Sequence, residues 1–200
     1  MAPTILLVTS RAEKAREAER LGFSIERLSL ELPEPQAFDP MEIVEAKARA
    51  AWARVARPLV VEDSGLSVAA WGGFPGALVK WLEKSAGVET LARMLDPFPD
   101  RVATAVCAVA YFDGEELVRA SGEVRGSIAL SPRGTGGFGW DSIFLPEGSA
   151  LTFAEMAPEE KDRVSHRRRA WEALSEKLLR VGASGLRAPR RGDGRRPFSG

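Results

Sequence analysis

Residues 102–124 read VATAVCAVAYFDGEELVRASGEV, and their reading decides the fold. Val102 to Phe112 is a long apolar run that predicts a strand. Asp113-Gly114 follows, a dipeptide that takes the positive φ of a tight hairpin turn at little cost. Leu117 to Val124 then returns as the partner strand. The chain ahead of this hairpin is organised differently, with strands alternating with helices. Thr4 to Val8 reads as a buried strand. Ser10, with Glu13 three residues on, offers a capping box for a helix from Arg11 to about Leu21, which Gly22 stops. Asp39 caps a second helix with Pro40 at its first position and Glu42 completing a second capping box. Its apolar stripe is Met41, Val44, Ala48, Ala51 and Val55. Pro58 ends it, and Leu59 to Val61 form another buried strand.

Early strand–helix alternation joined to a central hairpin implies an α/β fold with an elongated mixed sheet flanked by helices. The hairpin would build a second lobe, with the ligand cleft between the two. Ala77 to Lys84 and Val88 to Leu95 read as short helices broken at Gly87. The segment RGTGGFGWDSIFLP reads as a loop and then a short strand. Ser165 caps a last helix to about Leu179, with Val164, Trp171, Leu174 and Leu178 inward. Residues 1–180 form one domain in this reading. Residues 181–200 carry five arginines and one acidic residue without periodicity, and read as a disordered tail.

Composition narrows the classes of function. Net charge is zero over 200 residues, with 44% hydrophobic and 28% charged. The body left after the basic tail is slightly acidic, which argues against nucleic acid as the main partner. No apolar run reaches the length of a membrane helix, and the N-terminus lacks the pattern of a signal peptide, so the expected location is the cytoplasm. With a single cysteine, Cys107, and a single histidine, His166, neither a disulfide nor a zinc site is expected. Any metal should be a hard, oxygen-liganded ion.

Local chemistry concentrates in three places. In VVEDSGL, residues 60–66, two carboxylates stand where an apolar strand runs out. A buried carboxylate is costly unless it is paired or binds a metal. Neighbouring strand residues face opposite ways, so Glu62 and Asp63 cannot both point into one site if the strand stays regular. One would hold a metal while the other orients a lysine or the backbone; a solvated turn fits the spacing equally well. The turn GFGWD, residues 137–141, offers Phe138 or Trp140 for stacking on a base and Asp141 to accept from a base N–H. In KDRVSHRRR, residues 161–169, Arg167 falls on the inner stripe of the last helix and wants an anionic partner. Lys14, Lys47, Lys80 and Lys161 are each unremarkable alone, but as a cluster they would suit a triphosphate.

Taken in order, TSRAEK, LPE, EAKA, VVEDSGL, GGFPGALVKW, GFGWD, TFAEM and EKDRVSHR resemble the ITP/XTP pyrophosphatase family, also called Ham1-like. The resemblance runs from Ile5 to about Leu179. It implies a homodimer with a nucleotide cleft that uses Mg²⁺ to release pyrophosphate from ITP, dITP or XTP. It further implies phosphate contacts from Thr9, Ser10, Arg11 and Lys14, and metal binding by Glu34 and Asp63. Asp63 would activate the attacking water, with Glu62 in support. Lys47, Ser64, Lys80, Lys161, His166 and Arg167 would contact the nucleotide, and Phe138, Gly139, Trp140 and Asp141 would receive the base. His166 or Arg167 would donate to the purine O6. One departure stands out: the family's Thr-Gly-Asn is here Thr9-Ser10-Arg11. The rival readings are a Maf-like enzyme acting on pyrimidine or modified nucleotides, a catalytically silent nucleotide-binding module and a nucleic-acid-associated protein.

Overall fold

A computed structural model describes residues 4–180; the tail expected to be disordered lies outside them. β1 (Ile5–Val8) is buried throughout and leads into α1 (Ala12–Arg20). Arg11, not Ser10, is the N-cap, and no side chain caps it. The Arg11 amide instead donates to Thr9 Oγ1 at 3.2 Å. The helix thus begins one residue later than expected, and the Ser10–Glu13 capping box does not form. β2 (Ile25–Leu28) was not foreseen, because Glu26 and Arg27 interrupt its apolar pattern. α2 (Pro40–Val55) opens as expected, with the Met41 amide donating to Asp39 at 2.8 Å. The reciprocal bond from Glu42 is absent among the described residues.

The largest correction concerns β3 (Leu59–Val68), which does not run out at Val61. It continues through Glu62, Asp63, Ser64 and Gly65, poor strand formers by propensity. Pairing overrides propensity here: β3 runs antiparallel to β5 (Val102–Phe112), in register from Leu59–Phe112 to Val68–Ala103. β4 (Pro75–Gly76) pairs with the far end of β3. α3 (Val79–Arg93) is bent at Gly87 (φ 81°), matching the two short helices anticipated there. The hairpin forms as read, but its return strand β6 (Leu117–Ile128) extends past Val124. Asp113 Oδ1 closes the turn by accepting from the Glu115 and Glu116 amides at 3.0 and 2.8 Å. β7 (Phe144–Pro146), α4 (Pro158–Val164) and α5 (His166–Arg180) complete the described chain.

The sheet order is β2-β1-β3-β5-β6-β7, with β4 beside β3. The first three strands are parallel and the rest antiparallel, the mixed α/β sheet expected. Side-chain parity divides the core. Ile5, Leu7, Val60, Cys107 and Val109 pack against Trp171 and Leu174 of α5 on one face. Leu6, Val8, Val61, Ala108 and Ala110 pack against Val44, Ala48 and Ala51 of α2 on the other. A third cluster, including Leu66, Val79, Leu91, Ala105, Phe144 and Phe153, gathers farther along the strands under α3. Val164 is 37% exposed and is not part of the α5 stripe. α4 ends there, and the extended Ser165 breaks the periodicity before capping α5 through the Arg168 amide at 3.1 Å.

Candidate active site

Parity along β3 sets out the site. Glu62 lies on the α5 face with Val60, and Asp63 on the α2 face with Val61. Glu62 is 1% exposed and meets the Arg167 guanidinium at 2.7 Å, the Lys14 ammonium at 3.5 Å and the Trp171 indole N–H at 3.0 Å. Burial disfavours its charge, but Arg167 and Lys14 outweigh burial and hold its carboxyl below the ordinary range. Asp63 Oδ1 instead accepts from Lys47 Nζ at 3.2 Å. Lys47 also donates to Glu34 Oε1 and to the Glu62 carbonyl, both at 3.1 Å. Glu34 pairs in addition with Lys80. The strand thus turns the two carboxylates to opposite faces, Glu62 against Arg167 and Asp63 against Lys47.

Two cavities adjoin at Asp63. The first, about 340 Å³, is cationic: Arg11, Lys14, Lys47, Lys80 and Lys84 outnumber Glu31, Glu34 and Asp63, and Thr9 and Ser10 also line it. Burial pushes the Lys14 ammonium below its ordinary range, against the pull of Glu62 and Asp63. Lys80 is lowered likewise by burial and by the cations around it. Such a cavity is short of anions. The second, about 60 Å³, is a narrow slot walled by Phe138, Gly139, Trp140, Asp141, Ser64, His166 and Arg167. Arg11, Lys14, Asp63 and Lys80 line both.

The slot is built on stacked rings. His166 lies 5.3 Å from Trp140 and 5.9 Å from Phe153, centroid to centroid. Burial, reinforced by Arg167 and Lys161, keeps its imidazole well below the ordinary range and therefore neutral, and its Nδ1 has no partner among the described residues. Trp140 is buried against Phe144, which leaves Phe138 as the more open ring. The cations of Lys161, Arg167 and Arg11 stand 5.2, 5.4 and 5.9 Å from the centre of Phe138. Asp141 Oδ2 is already engaged, by the Phe138 amide at 2.7 Å and Lys161 at 2.6 Å, so it shapes the turn. Its Oδ1 makes no bond among the described residues.

Sequence reasoning placed Lys161 on the nucleotide and Glu62 in support of Asp63; neither lines either of these two cavities, and both lie one layer beneath. It also missed Glu17. This carboxylate, 5% exposed, joins Lys161 at 2.8 Å and pairs with Arg167. Burial opposes its charge, but Arg167 and Lys161 overcome that and hold its carboxyl at about 2. The signal was available: Glu17 lies beside Ala18 and three residues from Lys14, on the buried face of α1. Lys84 was missed as well, one turn beyond Lys80 on α3.

Glu34 and Asp63 suit Mg²⁺, which typically takes one or two carboxylates and completes its shell with phosphate oxygens and water. Among the described residues no group of three or more His, Cys, Asp or Glu could hold a metal unaided. Nor is any helix there long and apolar enough to cross a membrane.

Residues 5–177 match the model of the Ham1 family. The dITP/XTP pyrophosphatase of Thermococcus kodakarensis is 43% identical over 170 residues, 83% of this chain and 92% of that protein. Inosine triphosphate pyrophosphatase 1 of Trypanosoma cruzi is 41% identical over 175 residues, 85% and 89% of the two chains. Among solved structures, a HAM1 protein from Coxiella burnetii superposes with a TM-score of 0.77 at 29% identity, covering 90% of this chain and all of its own.

Proposed function

This chain belongs to the Ham1 family, and from that premise we propose that it hydrolyses abnormal purine nucleoside triphosphates to the monophosphate and pyrophosphate. ITP, dITP and XTP are the substrates. The observation that carries the reading is the pair of adjoining cavities, one cationic and one aromatic, that share Asp63. A nucleotide laid across them has its base in the slot, its terminal phosphates among the lysines and its α-phosphorus at the junction.

Water attacks the α-phosphorus there. The new P–O bond forms as the bond from that phosphorus to the bridging oxygen breaks, and the electron pair leaves on pyrophosphate. Glu34 and Asp63 would hold Mg²⁺, which when bound neutralises phosphate charge and makes a nearby water more acidic. Asp63 Oδ2 has no partner among the described residues and is free to take the water proton, while Lys47 fixes Oδ1. Lys14, Lys80 and Lys84 offset charge growing on the leaving group. At the base, Arg167 commits its nitrogens to Glu62, Glu17 and Ser64. Neutral His166 is therefore the freer donor toward a 6-oxo group. An adenine amino group presents a second donor at that point and leaves both unpaired, a basis for rejection. The family resemblance alone adds a homodimeric, cytoplasmic enzyme, which sedimentation and cell fractionation would check.

The test is pyrophosphate release from ITP, XTP, ATP, dTTP and UTP, with Mg²⁺ and with chelator. Release from ITP and XTP that chelator abolishes is the expected result. No release from either would sink the reading, and a preference for dTTP or UTP would replace it with a pyrimidine-directed enzyme.

A further inference from the structure

Among the described residues, Arg11 is the one cation of the junction without a prior engagement. Of the four residues lining both cavities, Lys14 bonds the carbonyl and carboxylate of Glu62, Lys80 pairs with Glu34, and Asp63 pairs with Lys47. The Arg11 side chain makes no hydrogen bond or ion pair among the described residues. Its recorded neighbour is the open ring of Phe138, 5.9 Å away. It also precedes the first turn of α1, whose free amides favour an anion.

Resting on the function proposed above, we infer that Arg11 is a catalytic residue, whose guanidinium grips the non-bridging oxygens of the α-phosphate and holds them more strongly in the transition state. The planar fork of arginine matches two such oxygens at once. As the water oxygen bonds to phosphorus and the bridging oxygen departs with its electron pair, charge is spread over the equatorial oxygens. A donor aimed there acts on the rate more than on binding. Arg11 transfers no proton. Lys14 and Lys80 are poorer candidates for this task, since each would have to give up an existing ion pair, with Glu62 or with Glu34.

The experiment measures pyrophosphate release from ITP with Mg²⁺ by the full chain and by Arg11→Ala, Arg11→Asn and Arg11→Lys, together with their thermal midpoints. Because the side chain makes no bond, all should fold with unchanged midpoints. The Ala and Asn variants should lose kcat on the order of 10²-fold, the effect of removing one well-aimed donor. KM should stay within about threefold, the mark of an interaction made in the transition state. The Lys variant should recover only part of the loss. Added guanidinium ion should raise turnover of Arg11→Ala about tenfold or more and leave the parent chain unaffected, a response that loss of a merely structural residue would not give. Undiminished kcat in Arg11→Ala, a loss confined to KM, or no response to guanidinium overturns this role while the enzyme reading stands. A parent chain that releases no pyrophosphate overturns both.

Discussion

Glu17→Gln should remove a defined, pH-dependent part of the stability of this protein. Glu17 lies between Arg167 and Lys161, with its side chain 6% exposed, so little solvent screening discounts the pairing. Its carboxyl is held at about 2 against an ordinary 4.5. At ~1.4 kcal/mol per pH unit, that difference corresponds to about 3 kcal/mol of folding stability at neutral pH. The sign follows from the direction. A depressed folded-state value means the unfolded chain binds the proton first as pH falls. The contribution is therefore complete above 4.5 and disappears as pH drops through 2. By pH 3 about 2 kcal/mol of it should be gone.

Urea denaturation followed by tryptophan fluorescence, run for both chains between pH 7 and pH 3, measures this. At pH 7 the Gln variant should be the less stable by about 3 kcal/mol, since it leaves Arg167 and Lys161 with a neutral neighbour in a buried site. The gap should close to about 1 kcal/mol by pH 3, because the parent chain loses what the variant never had. Comparing the two chains at each pH cancels the other buried carboxylates, Glu62 included. A gap that stays constant from pH 7 to pH 3 would refute the reasoning, for it would mean that Glu17 is not ionised by its partners in the folded state.

Two further outcomes follow from the same coordinates. Asp63→Asn should lower kcat with ITP by about 10³-fold or more while nucleotide binding, read by calorimetry, persists, because the amide can still meet Lys47 but can neither take a proton nor hold Mg²⁺ as a carboxylate does; full activity would remove Asp63 from the chemistry. Gly122→Ala should destabilise the fold by about 1–3 kcal/mol in thermal unfolding, since an added Cβ would lie 2.3 Å from the Ala170 amide nitrogen and 2.4 Å from the His166 carbonyl oxygen. An unchanged unfolding midpoint would show that α5 is not seated tightly on β6 at Gly122.

What could be read from the sequence depended on whether a residue's partner was local. Asp39, Pro40 and the Asp113-Gly114 turn act within a few residues, and they perform as read. The opposite facing of Glu62 and Asp63 was legible only on the condition that the strand stayed regular through them. The length of β3 was not. Glu62 to Gly65 is a poor strand on its own, and only the register with β5, some forty residues later, carries it through. That continuation matters for the chemistry. In a turn, both carboxylates could have swung to one side; in a ten-residue strand they are held apart, Glu62 against Arg167 and Asp63 against Lys47. Glu17 shows the same limit from the other side. Arg167 announced itself as a charge on an apolar helix face, which demands an anion, but the sequence does not say which one. Two anions meet it, Glu62 from β3 and Glu17 from α1, and a third element brings Lys161 to share Glu17. A buried charge can thus be found from periodicity, whereas its partners emerge only when the sheet has brought distant elements together, and here they hold Arg167 between two carboxylates at the wall of the slot.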